Sequence, residues 1–181
     1  MAHQDRVPDK FLELQCKEGM ALAAASDLLD LRPLDSTPSR TYLARFHCTG
    51  LVRCKGQVVE HDDFLVGIRF PDAYFREFDM ARVLSWCAPT EIWHPNIRAP
   101  FVCAGNMQPA TPLVDLLFQI HEIITWHNVE MRERNALNHD ACMWARNNLQ
   151  RFPVDRRPLK RRASTAGYVD ARPEPAPQQA R

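Results

Sequence analysis

Residues 64–70 read Phe-Leu-Val-Gly-Ile-Arg-Phe, which is the clearest β-strand pattern in the chain. Phe, Val, Ile and Phe stand at alternate positions, so they share one face, because successive side chains of a strand point to opposite sides. Pro71-Asp72 ends the run, since proline has no N–H to donate to a sheet. The centre of the chain is therefore predicted to be a β-sheet with one buried face.

Shorter stretches of strand character lie on both sides of this one. They are residues 42–48, residues 51–54 and 58–60 on either side of a Lys55-Gly56 turn, and residues 82–86. Their apolar content and the short turns between them favour antiparallel neighbours. The sequence thus predicts an antiparallel meander of about four strands.

Helical patterns frame the predicted sheet. Residues 9–31 carry apolar side chains at near-helical spacing, with prolines beyond both ends. A second helix is predicted from Thr111 as N-cap with Pro112 at its first position, and a third begins after Asn138. The apolar face of the second helix comprises Leu113, Leu116, Leu117, Ile120, Ile123 and Ile124. The fold class is therefore predicted to be α+β, with an N-terminal helix, a four-stranded meander and C-terminal helices.

Residues 87–110 have no regular pattern. Four prolines and a glycine lie in this segment, which excludes a long helix or strand. Large apolar side chains lie between them, and we expect these to be buried: Trp93, Ile97, Phe101, Val102 and Met107. The segment is predicted to be an ordered, irregular loop, and loops of this length are usually functional.

The composition indicates a globular protein of the cytoplasm. Hydrophobic residues make up 45% and charged residues 25%. No apolar run is long enough to cross a bilayer, and the first residues lack the layout of a secretory signal. The body of the chain has no basic surplus, so a nucleic acid partner is not expected. Six cysteines at irregular spacing, without a CxxC pair, indicate reduced thiols and no metal site.

The composition changes at Pro153. From there the chain is rich in proline, arginine, alanine and glutamine, and it includes the basic run RRPLKRR at 156–162. Few apolar residues remain to form a core, which is typical of disorder. We therefore predict one folded domain at 1–152 and a disordered basic tail at 153–181.

The irregular loop also contains the residues with the most distinctive chemistry. His94-Pro95-Asn96 ends seven residues before Cys103. A cysteine thiolate forms thioesters, and the oxyanion formed when a thioester is attacked needs a hydrogen-bond donor, which an asparagine amide can supply. Taken alone, Cys103 also fits a small buried core residue, because free cysteine is among the most buried residue types.

Together with its surroundings, this loop resembles the ubiquitin-conjugating enzymes. His94-Pro95-Asn96-Ile97, with a cysteine nine residues after the histidine, is similar to the family's HPN motif and active-site cysteine. Residues 64–74, FLVGIRFPDAY, resemble its third strand and the FP-x-x-Y ending. Residues 136–141, ALNHDA, resemble the P-L-N-x-x-A entry to a later helix. The resemblance covers residues 9–150 and implies the ubiquitin-conjugating (UBC) fold.

This resemblance implies a mechanism and partners. Cys103 would accept the C-terminus of a ubiquitin-like modifier from an activating enzyme as a thioester, and pass it to an amine, usually a lysine, on a target protein. Asn96 would stabilise the oxyanion or hold the loop, and His94 would be structural. The first helix would bind the activating enzyme through Lys10 and Lys17, unless these are only solvated charges. Since the activating enzyme uses the ATP, no cofactor is expected.

Several positions depart from the family pattern. Residues 74–78, YFREF, lack the prolines of the loop that many ubiquitin ligases contact, and the segment after Cys103 lacks the family's W-S-P. Asn135 stands where many members have an acidic residue that orients or deprotonates the lysine. An asparagine can orient an amine but cannot take its proton. Such divergence resembles ubiquitin-conjugating-like proteins of bacterial operons, some of them antiviral.

Other interpretations remain open. A non-catalytic scaffold of the same fold would bind the modifier or activating enzyme without a thioester. Inactive relatives typically lose the cysteine, whereas this chain has both Cys103 and Asn96. A cysteine hydrolase would need His94 as a base, but this side chain is expected to face away from the thiol. Cys87, near Pro89, is an alternative reactive thiol without an asparagine partner.

Overall fold

The computed structural model describes residues 6–160. In chain order the elements are α1 (Arg6–Ala24), β1 (Leu29–Pro33), β2 (Thr41–Phe46), β3 (Gly50–Cys54), β4 (Gln57–His61), β5 (Phe64–Arg69), α2 (Met80–Val83), β6 (Leu84–Ala88), β7 (Ile97–Arg98), β8 (Phe101–Val102), α3 (Leu113–Ile124) and α4 (His139–Arg146). Short 3-10 helices lie at Glu133–Asn135 and Leu149–Arg151. This is the predicted α+β class.

The main sheet is antiparallel, with strand order β1-β2-β5-β6. The central pair β2 and β5 places Tyr42 opposite Ile68 and Ala44 opposite Val66, and all four side chains are fully buried. The alternation that identified residues 64–70 as a strand therefore marks the face of the sheet that meets the core. A four-stranded antiparallel sheet is confirmed, but two of the predictions about its strands are wrong.

The first error concerns β1, because its first three residues were predicted to be the end of the helix 9–31. The α-helix ends at Ala24, and the Ser26 hydroxyl accepts a hydrogen bond from the Leu28 N–H at 3.1 Å. Residues 29–33 then alternate between buried and exposed side chains along the edge of the sheet. Over so few residues, apolar positions spaced for a helix also fit the alternation of a strand, and the pairing with β2 decides between them.

The second error concerns residues 51–60, which form a separate hairpin of β3 and β4 instead of joining the main sheet. This hairpin pairs with the irregular loop. The Trp93 N–H donates to the Leu51 carbonyl and the Arg53 N–H donates to the Glu91 carbonyl, both at 2.8 Å. The hairpin therefore supports the loop just before His94.

The predicted apolar face of α3 is confirmed, since all six of its residues are buried in the same core as the main sheet and α1. The start of this helix differs from the prediction. Pro112 is the N-cap residue, and the Thr111 hydroxyl donates to the Gln108 carbonyl at 2.7 Å. The Leu113 N–H instead donates to Oε1 of Gln15, a buried side chain on α1, at 2.7 Å.

A second apolar cluster lies beside the main core. It consists of Leu51, Trp93, Trp126, Ala141 and Ala145, with Phe152 and Val154 packed against them. The predicted N-cap of α4 is confirmed, because the Asn138 side chain accepts a hydrogen bond from the Ala141 N–H at 3.1 Å. This cluster joins the β3–β4 hairpin, the irregular loop and α4.

The folded part of the chain continues past the predicted boundary at residue 152. Leu159 is 1% exposed, and the buried Asp155 carboxylate accepts hydrogen bonds from the Thr49 N–H and the Arg157 guanidinium. The prediction of disorder is therefore wrong for residues 153–160, which are fixed by a few buried groups rather than by a periodic apolar pattern. The rest of the predicted tail, 161–181, lies outside the described residues. Within residues 6–160, no helix is long and apolar enough to span a membrane.

Candidate active site

A small hairpin brings the predicted site residues together. β7 and β8 pair Ile97 with Val102, and the Cys103 N–H donates to the Asn96 carbonyl at 2.8 Å. Asn96 and Cys103, seven residues apart in the chain, are thus adjacent at the open end of the hairpin. Ile97 and Val102 are buried as predicted, but Phe101 is 53% exposed, because it lies on the outer side of the hairpin.

The loop is held between the two apolar clusters. Ile97 and Val102 belong to the main core, whereas Trp93 belongs to the second cluster. The Pro95 carbonyl, between these two contacts, accepts hydrogen bonds from the N–H groups of Leu137 and Asn138 at 2.9 and 3.1 Å. The His-Pro-Asn segment is therefore fixed against the entry to α4.

Asn96 uses both ends of its side-chain amide. Nδ2 donates to the Cys103 carbonyl at 3.0 Å, and Oδ1 accepts from the Glu130 N–H at 2.8 Å. The side chain is 5% exposed. Of the two roles predicted for Asn96, these contacts perform one, holding the loop. Nδ2 carries two hydrogens, and the contact with the Cys103 carbonyl uses one of them.

His94 is a buried structural residue of the loop. Its Nδ1 accepts a hydrogen bond from the Asn96 N–H at 3.0 Å, and its ring contacts Trp126 edge to face, with 4.5 Å between ring centroids. Burial lowers the pKa of His94 to about 3, so the imidazole is neutral at physiological pH. A general base needs a pKa closer to the working pH, and this side chain does not meet that condition.

Glu130 joins the site although no sequence pattern pointed to it. Its N–H binds Asn96, and its carboxylate accepts hydrogen bonds from the Arg132 N–H at 2.7 Å and from Nδ2 of Asn135 at 3.1 Å. These donors lower the pKa of Glu130, which is therefore ionised at neutral pH. The exposed Asn135, predicted to orient an acceptor, is thus connected through Glu130 to Asn96.

The cysteines differ in their surroundings. Cys103 is partly exposed, whereas Cys48 and Cys142 are fully buried. Burial raises the pKa of Cys48 to about 12 and also raises that of Cys142, which disfavours the thiolate that a nucleophile needs. Cys87 is exposed on β6, on the face opposite the buried Trp86, and its thiol donates to the Ser85 carbonyl at 3.5 Å.

Lys10 and Lys17 lie on the solvent side of α1 and are both exposed. Leu14 lies between them and is 48% exposed. Positions 10, 14 and 17 share one face of a helix, so two cations flank an exposed apolar side chain. This arrangement fits a protein-binding face and equally fits ordinary solvated lysines.

No group of three or more histidine, cysteine, aspartate or glutamate side chains within residues 6–160 is arranged to hold a metal ion. A scan against protein-family models finds no match to this chain, and a search of curated proteins finds none either. A function for this chain therefore has to be inferred from the residues of the loop and from their contacts.

Proposed function

We propose that this protein is a ubiquitin-conjugating-type enzyme, which carries the C-terminus of a ubiquitin-like modifier as a thioester on Cys103. One observation carries the proposal: the Asn96 side chain connects the Cys103 carbonyl to the Glu130 N–H, at 3.0 and 2.8 Å. A partly exposed cysteine is thereby fixed beside an amide donor in a rigid loop. The likeness of residues 9–150 to the family supports the same conclusion.

In the first step of the proposed reaction, the Cys103 thiolate attacks the thioester carbonyl carbon of the modifier on its activating enzyme. A new C–S bond forms, the old one breaks, and the thiolate of the activating enzyme leaves. The reaction exchanges one thioester for another, so this chain needs no ATP and no cofactor of its own. Access to the sulfur matters most here, and Cys103 meets that condition better than the buried cysteines.

In the second step, an amine of the target attacks the same carbonyl carbon. The tetrahedral intermediate carries an oxyanion and the attacking nitrogen loses a proton to solvent. The C–S bond then breaks, and the amide product leaves with Cys103 restored as a thiolate. The second Nδ2 hydrogen of Asn96 is the donor for this oxyanion. One such donor is typically worth about 3 kcal/mol of transition-state stabilisation.

On the same resemblance, we propose that the protein acts in the cytoplasm of a bacterium, in a conjugation system for antiviral defence. In the region where many ligases bind this family, the Tyr74 hydroxyl donates to the Thr111 carbonyl at 2.7 Å, and Phe75 is 37% exposed. Because residues 74–78 lack the prolines that many ligases contact in this family, we do not expect a conventional ligase to bind at this loop.

The test is incubation with an activating enzyme, ATP and a ubiquitin-like modifier, followed by a non-reducing gel. We expect an adduct that thiols remove and that Cys103→Ala abolishes, while Cys87→Ala retains it. Cys103→Ser should give an oxygen ester that survives thiols, because a hydroxyl oxygen replaces the sulfur. If the activating enzyme is itself charged but no variant gains an adduct, the protein is instead a scaffold that binds these partners.

A further inference from the structure

We propose that residues 161–181 of this chain bind to its own main sheet, in a groove on the face turned away from the core, with Tyr168 and Val169 as the apolar anchor. The inference goes beyond the proposed function and does not depend on a thioester at Cys103. It assigns an occupant to a sheet face that residues 6–160 leave open.

The groove lies on the outer face of the main sheet. Its floor is apolar and includes Leu43 of β2, Leu65 of β5 and Ala88 of β6. These three side chains are only partly buried, whereas the neighbours of Leu43 on β2 that point to the other face are fully buried. The groove has a volume of about 540 Å³, which is in the range of binding sites in proteins. Burying its apolar floor is therefore favourable for any segment that fits.

The last described residues lie at one end of this groove. The Leu159 carbonyl accepts a hydrogen bond from the Ser26 hydroxyl, and the Arg157 guanidinium donates to the His47 carbonyl at 3.3 Å. Ser26 precedes β1 and His47 follows β2, so the chain passes the end of the sheet at which β1 begins. Asp30, which lines the groove, follows Ser26 by four residues, about 13 Å of fully extended chain.

The sequence beyond Lys160 is long enough to reach along the groove. Tyr168 follows Lys160 by eight residues, which span up to about 25 Å when extended. The five residues of β1 span about 17 Å. Tyr168 and Val169 are the large apolar residues of this stretch, since its other residues are small, polar, charged or proline. This pair is therefore the part of residues 161–181 that suits an apolar floor.

The charges of the groove and of residues 161–181 follow each other in a matching order. Asp30 lies near the end where the chain leaves, and Arg32 lies two residues further along β1, with both side chains exposed. In the sequence, two arginines at 161–162 come first, and Asp170 follows the apolar pair. A chain laid along β1 from this end therefore brings opposite charges together at both positions. Exposed pairs of this kind add little affinity, but they favour one direction of the chain.

The other charged groups of the groove are already paired with each other. Nε of Arg45 donates to the Asp63 carboxylate at 2.7 Å, so these two charges balance. Asp30 contacts the His47 ring at 2.8 Å, but its side chain is 75% exposed. A carboxylate has several acceptor sites, so Asp30 is able to bind an arginine in addition to His47.

The experiment is NMR of leucine methyl groups in the full chain. Tyr168→Ser removes the aromatic ring of the proposed anchor, and Tyr168→Phe is the matched control that retains a ring. Leu149 is 59% exposed and does not line the groove, so it reports on contacts elsewhere on the surface. The buried Leu116 reports on the integrity of the core in each variant.

We expect the Leu43 and Leu65 methyl resonances to differ between the wild type and Tyr168→Ser, because an aromatic ring shifts the resonances of methyl groups that it covers. Tyr168→Phe should keep the wild-type positions, and the Leu149 and Leu116 resonances should be the same in all three proteins. Replacing both arginines at 161–162 with glutamate should move Leu43 and Leu65 towards their positions in Tyr168→Ser. These differences should not depend on protein concentration, since the contact is within one chain.

Three results would overturn the inference. Identical Leu43 and Leu65 resonances in the wild type and in Tyr168→Ser would leave the groove open to another protein. A difference that disappears on dilution would mean that the anchor comes from a second copy of the chain. An equal change at Leu149 would mean that residues 161–181 contact the surface without preference for the groove.

Discussion

At the scale of single residues, the loop of residues 94–103 is held by the polar atoms of its own side chains. Asn96 holds the loop at both ends of its amide, and His94 accepts the Asn96 N–H from within the core. In the proposed reaction, a donor held in this way needs no reorganisation when an oxyanion forms, which is how fixed dipoles assist acyl transfer. Burial of ionisable side chains in the same core also makes the stability of the protein depend on pH.

Two histidines should make the protein less stable in mild acid. Burial lowers the pKa of His94 to about 3 and that of His121 to about 4, from 6.5. A histidine with a lowered folded pKa binds its proton only when the chain unfolds, so its neutral form favours folding above pH 6.5 and this contribution is lost as the pH falls. Each such group lowers the free energy of unfolding by up to about 1.4 kcal/mol for each pH unit below the unfolded pKa.

Urea unfolding at pH values of about 7.5, 6 and 5 measures this effect. His121→Gln should reduce the dependence on pH, whereas His139→Gln, a change at an exposed position on α4, should not. Asp155 does not contribute to the change of stability with pH in this range. Burial opposes ionisation there, but the donors Arg157 and Thr49 prevail and lower its pKa to about 2, so its contribution is lost only in stronger acid. An equal slope in the wild type and in His121→Gln would contradict the prediction.

At the scale of elements, contacts with distant residues decide where each helix and strand begins and ends. β1 is a strand because β2 pairs with it along residues 29–33. The first turn of α3 is capped by Gln15 from α1, although Thr111 and Pro112 gave the local signal for a cap. A helix N-terminus has unpaired N–H groups, and any acceptor that the fold brings near will serve.

The origin of this cap can be tested with two substitutions. Gln15→Ala should lower the free energy of unfolding by about 1–2 kcal/mol, because the Leu113 N–H loses a buried acceptor. Thr111→Ala should cost less than about 0.5 kcal/mol, since its exposed hydroxyl binds only the turn before the helix. Urea unfolding of both variants gives the comparison. A larger loss of free energy of unfolding in Thr111→Ala than in Gln15→Ala would show that the local residue, and not Gln15, caps the helix.

At the scale of the whole molecule, two apolar clusters hold the loop of residues 94–103 between them, and the C-terminal residues 152–160 complete this arrangement. Phe152 stacks on Trp126, with 4.3 Å between ring centroids, and Trp126 in turn contacts His94. Leu159 reaches the main core, where its carbonyl accepts a hydrogen bond from Ser26. The end of the described chain thus stabilises the loop that bears the cysteine.

Loss of this C-terminal packing should destabilise the entire domain. Leu159→Ala is expected to lower the free energy of unfolding by about 2–4 kcal/mol, the cost of emptying a buried leucine site. Arg156→Ala, at an exposed position in the same segment, should change it by less than about 0.5 kcal/mol. Thermal or urea unfolding measures both. If Leu159→Ala changed the free energy of unfolding as little as Arg156→Ala, residues 153–160 would contribute no packing of their own.

The sequence by itself determined the features that depend on local periodicity. The alternation at 64–70, the apolar face of α3 and the Asn138 cap of α4 were all predictable, as was the grouping of His94, Asn96 and Cys103 in one loop. These patterns extend over a few turns or strand repeats, within which the chain's own geometry sets which side chains share a face.

Only the tertiary structure decided the rest. The cap from Gln15 joins residues 98 positions apart, and the hydrogen bond that the Thr49 N–H donates to Asp155 joins residues 106 apart. Glu130 enters the site through its backbone N–H, a group that every residue except proline has, so no side-chain pattern could identify it. A hydrogen bond between distant residues leaves no periodic trace in the sequence, and this is why the contact between Asn96 and Glu130 emerged only from the folded chain.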